Sequence, residues 1–419
     1  MDVPAKRAEQ RGLGGDYWRL WTAAGLSSLA DGVVKNALPL VAIGFTRSPV
    51  LISGLAFAFS LPWLVCALPV GVLVDRIDRR RAMLAANVAR AALLAVLVLA
   101  MAFDLGSIWA LYVAAVLVGV AETIYDTAAQ SIMPQVVGRE HLSRANGRLY
   151  GVELIANESV GPPLAGFLVA AGAMFALGAP VGLWAIAIVA LLVLRGRFRI
   201  HRDRPATLRA DIVEGLRFLW RQRILRTFAV MVGVFNFATG AVWAVLALYA
   251  VGPESMLKLS TQDYGFLVAM VAVGNAAGSL FAERVERLLG RARSLGVGFL
   301  CTALLLGVPA FTAQPLVVGA AFFVGGLGIV VSNVVMVSLR QRITPDRLLG
   351  RLNSAHRLVA WGTKPLGAAA GGFLAQWLGL SVMFAIMSGL VLTLIAGVRA
   401  VTDKAMDAAE RVARAGEPA

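Results

Sequence analysis

Long apolar segments separated by short charged loops restrict this chain to one class of architecture. Of its 419 residues, 59% are hydrophobic and 15% are charged, whereas a soluble globular protein carries about 25% charged residues. Many of the apolar segments reach the ~20 residues that an α-helix needs to cross the hydrocarbon core of a bilayer. The sequence therefore predicts an all-α membrane protein with twelve transmembrane helices. The predicted spans are 20–45, 51–74, 82–103, 108–132, 149–173, 174–194, 228–251, 264–282, 294–311, 315–339, 358–378 and 381–398.

The basic residues predict the orientation of these spans. Arginine is concentrated in alternate loops and in the long segment 195–227, whereas the opposite loops carry Arg47 and Lys258. Since basic loops stay on the cytoplasmic side, both termini and the segment 195–227 are expected in the cytoplasm. The expected location of the protein is a bacterial-type inner (plasma) membrane. The formal net charge of +15 comes from these loops, which would be attracted to anionic lipid headgroups. We therefore expect no nucleic-acid partner.

Short segments of the first half recur in the second half in the same order, which predicts an internal duplication. The expected organisation is a tail, a six-helix bundle, a linker with an amphipathic helix, a second six-helix bundle and a second tail. The recurring pairs are 71–79 with 279–287, 144–147 with 351–354, and 161–168 with 367–374. The five parts are 1–19, 20–194, 195–227, 228–398 and 399–419.

The loop after the second span carries a recognisable pattern, Gly-x-Leu-x-Asp-Arg-x-x-Arg-Arg. It resembles the signature loop between helices 2 and 3 of the major facilitator superfamily of secondary transporters. The resemblance implies two pseudo-symmetric six-helix bundles, with a carboxylate in this loop that faces helix 11 and steadies one conformation. Asp78 departs from the family pattern, which usually has Gly there, and is expected to tighten or distort the turn. The residues implied in this conformational lock are Gly71, Asp75, Arg76, Arg79 and Arg80.

Two further segments resemble a drug, macrolide and siderophore efflux branch of that superfamily. The first, 214–226, is similar to the amphipathic middle-loop helix of the branch, and such a helix lies in the headgroup plane. The second is Gly161-Pro162-x-x-Ala165-Gly166, which resembles the fifth-helix antiporter motif GPxxGG with Ala in place of one Gly. The resemblance favours export over import, although small residues at these positions also suit ordinary tight helix packing.

Ionisable residues inside the predicted spans are the candidate functional residues, because charges in hydrocarbon are costly and usually functional. Asp31 and Lys35 lie one turn apart and could form an ion pair. Glu122 and Asp126 share that spacing, and repulsion between two acids favours a proton on one of them, which suits a proton carrier. The resemblance places most of these residues at the central cavity. The proton-coupling candidates are Asp31, Glu122, Asp126, Glu153 and Glu158. The cavity-charge and substrate candidates are Lys35, Asn36, Arg90, Asn157, Trp361, Lys364 and Phe235.

No enzyme signature accompanies these residues. The sequence has no phosphate-binding loop, and His141, His201 and His356 lack metal-ligand spacing, so we expect no catalytic residue, metal or cofactor. The interpretation is a monomeric secondary transporter that exports amphipathic small molecules, such as drugs, macrolides or siderophores, by proton antiport and alternating access. Its partners would be a small-molecule substrate, protons and the bilayer. A proton-coupled importer of a polar nutrient, a lipid translocase of the same fold and a membrane-embedded sensor remain alternatives.

Overall fold

Helices account for nearly all of the computed structural model, which describes residues 13–138, 141–194, 196, 198 and 208–415. The first half comprises eight α-helices and one π-helical segment, Ile155–Val160, which joins α6 to α7. The α-helices of this half are α1 (Gly14–Ala42), α2 (Pro49–Val65), α3 (Ala67–Arg76), α4 (Arg79–Ala102), α5 (Ile108–Val136), α6 (Leu142–Leu154), α7 (Gly161–Ala171) and α8 (Ala173–Val193).

The second half comprises eight α-helices in the described part of the chain. Its first member, α9, is the predicted amphipathic helix. It begins six residues earlier than the segment 214–226 and ends at Arg221, and it buries Leu219 while Arg217 and Arg221 stay exposed. The helices are α9 (Leu208–Arg221), α10 (Arg223–Ala250), α11 (Thr261–Leu289), α12 (Arg291–Phe311), α13 (Pro315–Ile343), α14 (Asp346–Leu378), α15 (Leu380–Val398) and α16 (Asp403–Ala415).

Each of the twelve predicted spans coincides with a helix or with consecutive helices. In the described part of the chain, nine helices are long and apolar enough to cross a membrane, and α2 is a shorter apolar helix. The remaining two, α1 and α14, carry the ionisable residues Asp31, Lys35 and Lys364 within their predicted spans. The abutting fifth and sixth spans are separated at Gly172, whose φ of +132° suits glycine.

The helices pack as two groups, α1–α8 and α10–α15. Most of the buried apolar side chains of the second group form one cluster, and those of the first group form two larger clusters and a small one. We call the membrane side on which α1 begins and α8 ends the near side, and the opposite side the far side. Because every span reverses direction, α9 and α16 also lie on the near side.

The two groups of helices meet at their far-side ends. A Cβ atom added at Gly372 of α14 would lie 1.8 Å from Ser53 Oγ of α2, so these two helices touch closely. Between the loops that follow α1 and α10, Arg47 donates a 3.3 Å hydrogen bond to the carbonyl of Val251. The interface that the described residues form is therefore closed on the far side.

Candidate functional site

The buried side chain of Arg90 is the centre of a polar network in the first group. Its guanidinium is 0% exposed and donates a 2.5 Å hydrogen bond to Asp31 Oδ1 of α1, whose side chain is 6% exposed. The other terminal nitrogen donates to Ser27 Oγ at 2.9 Å and to Asn87 Oδ1. The sequence-based pairing of Asp31 with Lys35 is therefore wrong, since the partner of Asp31 comes from α4.

Two aromatic rings cover the same guanidinium. The Cζ atom of Arg90 lies 4.7 Å from the ring centre of Tyr125 on α5 and 5.1 Å from that of Trp184 on α8. A cation over the electron-rich face of a ring is attracted to it, and the attraction grows when water is excluded. Four helices thus hold one charged group. Sequence reasoning missed both rings, because an aromatic residue inside an apolar span carries no signal of its own.

Lys35 lies one turn beyond Asp31 and pairs with a different acid. Its Nζ is 3.4 Å from Glu158 Oε1, and the two side chains remain 53% and 49% exposed although both belong to predicted spans. Glu158 belongs to the π-helical segment, which α1 approaches at backbone distance. A Cβ atom added at Gly32 would lie 2.6 Å from the Asn157 carbonyl oxygen, and Asn157 Nδ2 donates to the carbonyl of Ser28 at 3.4 Å.

Lys364 brings the second group of helices to this pair. Its ammonium is attracted by the Glu158 carboxylate and repelled by the Lys35 ammonium. The backbone of α14 is close to α10 here, because a Cβ atom added at Gly240 would lie 2.6 Å from the Lys364 carbonyl oxygen. Lys35, Glu158 and Lys364 form what we call the mid-span charge cluster, and this cluster links the two groups.

Two acidic candidates, Glu122 of α5 and Glu153 of α6, lie within electrostatic range of the Asp31–Arg90 pair. The carboxylate of Glu122 interacts electrostatically with Asp31, Asp126 and Arg90, and that of Glu153 with Asp31. Among the described residues, the buried Oε2 of Glu122 has no hydrogen-bond partner. A buried carboxyl oxygen without a partner is costly when charged.

The remaining cavity candidates have less direct roles. Asn36 Nδ2 donates to the carbonyl of Gly32 one turn earlier on its own helix at 2.8 Å. Phe235 is partly buried and packs against the core of the second group. Trp361 belongs to α14, but its side chain lies outside the described part of the chain.

The signature loop connects α3 to α4. Asp78 lies in this turn as the N-cap residue of α4. Its Oδ1 accepts the N–H of Arg81 at 3.1 Å, as an N-cap residue of α4 does. Arg79 is buried, and Arg80 donates to the carbonyls of Leu191 and Leu192 at 2.7 and 2.6 Å. Arg76 is exposed. The side chain of the predicted lock residue, Asp75, lies outside the described part.

The antiporter-like motif serves two interfaces. A Cβ atom added at Gly161 would lie 2.9 Å from Gly32 of α1 within the same group. A Cβ atom at Gly166 would lie 2.2 Å from the Thr261 carbonyl oxygen of α11 in the other group, and Thr261 Oγ1 donates to the Gly166 carbonyl at 2.9 Å. On the α11 side, a Cβ atom at Gly265 would lie 2.6 Å from the carbonyl oxygen of Pro162. The motif therefore forms part of the far-side closure.

Two helix groups closed at one end, with charged side chains half-exposed at mid-span between them, define a secondary transporter of the major facilitator fold. A family model described as transmembrane secretion effector matches residues 15–418, and the chain belongs to this family. It is therefore a multi-pass membrane transporter and not a member of an enzyme family.

Known relatives agree with this family. The chain is 29% identical over 391 residues to the multidrug efflux pump Tap of Mycolicibacterium fortuitum, covering 87% of this chain and 90% of that protein. It is 22% identical over 395 residues to macrolide efflux protein A of Streptococcus pyogenes, covering 91% and 94%. A crystal structure of a variant of the nucleoside transporter NupG is similar in fold, with a TM-score of 0.76 at 10% identity, covering 92% of this chain and 99% of that one.

Proposed function

We propose that this protein exports amphipathic small molecules, including drugs, macrolides or siderophores, by proton antiport and alternating access. The observation that carries the proposal is the half-exposed mid-span charge cluster. Its member Lys35 interacts electrostatically with Glu122, whose buried Oε2 has no hydrogen-bond partner among the described residues. The names of two efflux relatives that match most of the chain support the direction of transport.

In this proposal the near side is the cytoplasm, because the arginine-rich loops lie there. The conformation with the far side closed is then the one that accepts substrate from the cell. Lys35 and Glu158 are reachable by a solute, since each side chain is about half-exposed. Lys364 belongs to the other group of helices, so a ligand that engages the cluster interacts with both groups at once. Such a ligand can favour one arrangement of the groups over the other.

Proton movement is assigned to Glu122 with Asp126. A carrier has to gain a proton from one side and release it to the other, so it needs an environment that tolerates both states. Glu122 lies close to the Asp31–Arg90 pair, whose charges largely compensate each other. Asp31 is instead paired with the Arg90 guanidinium at 2.5 Å, and both side chains are almost completely buried. Asp31, Glu153 and Glu158 remain the alternative carriers.

The test uses purified protein in liposomes with an imposed pH gradient and a radiolabelled macrolide as probe. Wild-type protein should accumulate the macrolide against its gradient. Glu122→Gln and Asp126→Asn, alone or combined, should lower the gradient-driven accumulation more than tenfold. Macrolide exchange without a pH gradient should persist. Glu283→Gln is the control, because that near-side carboxylate is 85% exposed. Intact gradient-driven accumulation in the double variant would contradict the carrier assignment.

Orientation is tested in whole cells with a membrane-impermeant thiol reagent. Both cysteines, Cys66 and Cys301, are free and are first replaced by Ala. Met256→Cys, on the half-exposed far-side loop, should label from outside, and Arg287→Cys, on the near side, should not. The opposite labelling would refute the cytoplasmic near side.

Three other outcomes would favour the alternatives. Uptake of a polar nutrient without macrolide transport would favour the importer. Movement of lipid alone would favour the lipid translocase, and binding of a ligand without transport would favour the sensor.

A further inference from the structure

The same junction is built differently in the two halves of the molecule. In the first half, Asp78 lies between α3 and α4 and uses both carboxylate oxygens. One accepts the N–H of Arg81 in the first turn of α4 at 3.1 Å, and the other accepts the backbone N–H of Phe198 at 2.7 Å. Phe198 belongs to the chain that leaves α8. The loop carboxylate thus caps the following helix and also fixes the chain that leaves the last helix of its group.

At the corresponding junction of the second half, the loop residue has no side chain that could cap the following helix. Gly290 stands between α11 and α12 with a φ of +80°. The missing cap comes from α16, where Asp403 Oδ1 accepts the N–H of Ala292 at 2.9 Å. A Cβ atom added at Gly290 would lie 2.8 Å from Asp403 Oδ2, so glycine leaves room for the incoming carboxylate. In the second half, the carboxylate therefore comes from α16, which follows α15, and it accepts a hydrogen bond from the first turn of α12.

Ion pairs and apolar contacts hold the rest of α16 in place. Arg291, the first residue of α12, donates to Asp407 and, at 2.5 Å, to Glu410. The side chains of Arg291 and Glu410 are only 17% and 12% exposed, and partly buried pairs are screened less by salt than surface pairs. Arg342, near the end of α13, lies 3.7 Å from the same Glu410. On the apolar face of α16, Met406 is fully buried against the core of the second group.

We propose that α16 is a clasp that holds the near-side ends of α12 and α13 together as one unit while the two helix groups move during transport. Asp403 is its positioning residue, and Asp407 and Glu410 carry its charge contacts. The close contacts between the groups described above lie on the far side, whereas α16 contacts the near-side ends of α12 and α13. The part of this inference that concerns transport rests on the proposed function.

Hydrogen exchange of the full-length protein in detergent tests the contact itself. Asp403→Ala should speed exchange at the start of α12, including the amide of Ala292, by about fivefold, the effect of removing a typical helix cap. Asp78→Ala is the matched control, because it should speed exchange at the start of α4 and leave α12 unchanged. Lys404→Ala, on the exposed face of α16, should change neither. Unchanged exchange at α12 in Asp403→Ala would overturn the proposal.

Removal of the charge contacts tests whether the clasp acts in transport. Asp407→Asn combined with Glu410→Gln neutralises both carboxylates that Arg291 contacts. This double variant should lower macrolide transport at least fivefold while equilibrium macrolide binding stays within twofold of wild type, and Lys404→Ala should change neither. Faster exchange at α12 with normal transport would refute the role in transport. Absence of macrolide transport by wild-type protein would instead refute the proposed function, and the exchange experiment would still decide whether the clasp exists.

Discussion

The buried Arg90 network makes a quantitative prediction about stability. Removing one partner of a buried ion pair leaves an uncompensated charge and typically costs 3–5 kcal/mol. The side chains of Arg90 and Asp31 are both almost completely buried, so Arg90→Met should lower the free energy of unfolding by about 3–5 kcal/mol. Loss of the two ring contacts adds to this effect, since a desolvated cation–π contact contributes about 2 kcal/mol. Arg90→Met is therefore expected at the upper end of the range.

The second part of this prediction concerns the double variant. When both charges are replaced by neutral groups of similar size, the net effect is often small, so Arg90→Met combined with Asp31→Asn should be more stable than Arg90→Met alone by about 2 kcal/mol or more. The measurement is a double-mutant cycle on unfolding in mixed detergent micelles, followed by intrinsic tryptophan fluorescence. Strictly additive single effects, or a loss below about 1 kcal/mol in Arg90→Met, would show that the pair does not exist in the folded protein.

Two further substitutions examine the far-side closure and the signature loop. Gly166→Val should weaken the closure, because even a Cβ atom at this position would lie 2.2 Å from the Thr261 carbonyl oxygen. Labelling of Met256→Cys should become faster and transport should fall. Labelling and transport equal to those of wild type would refute the contact between α7 and α11. Asp75→Asn should retain normal expression but lower transport severalfold, as expected for a residue of the superfamily's signature loop; undiminished transport would mean that the loop is merely a cationic turn.

The helices could be predicted from the sequence because their signal is local. An apolar segment of bilayer length flanked by Arg is sufficient to place α4 or α8, and the structure begins and ends those helices within a few residues of the predicted spans. The π-helical segment Ile155–Val160 gave no such signal. It stands where α1 approaches the backbone at Gly32 and Gly161.

The candidate charged residues could also be predicted from the sequence, but their partners could not. Lys35 is the nearest cation to Asp31 along the chain, yet packing of α4 beside α1 brings Arg90 to Asp31 at 2.5 Å. Lys35 instead pairs with Glu158, which is 123 residues away along the chain. Sequence spacing identifies neighbours on one helix, whereas neighbours on different helices are decided by which faces pack together.

Exposure separates the roles of these two ion pairs on α1. Asp31 and Arg90 are almost completely buried, and Tyr125 and Trp184 cover the guanidinium, so a substrate cannot reach them without unpacking four helices. Lys35 and Glu158 are held by the same helix crossing at Gly32 but remain half-exposed. Under the proposed function, the buried pair fixes the geometry of the site, and the half-exposed pair, with Lys364, is where substrate binds.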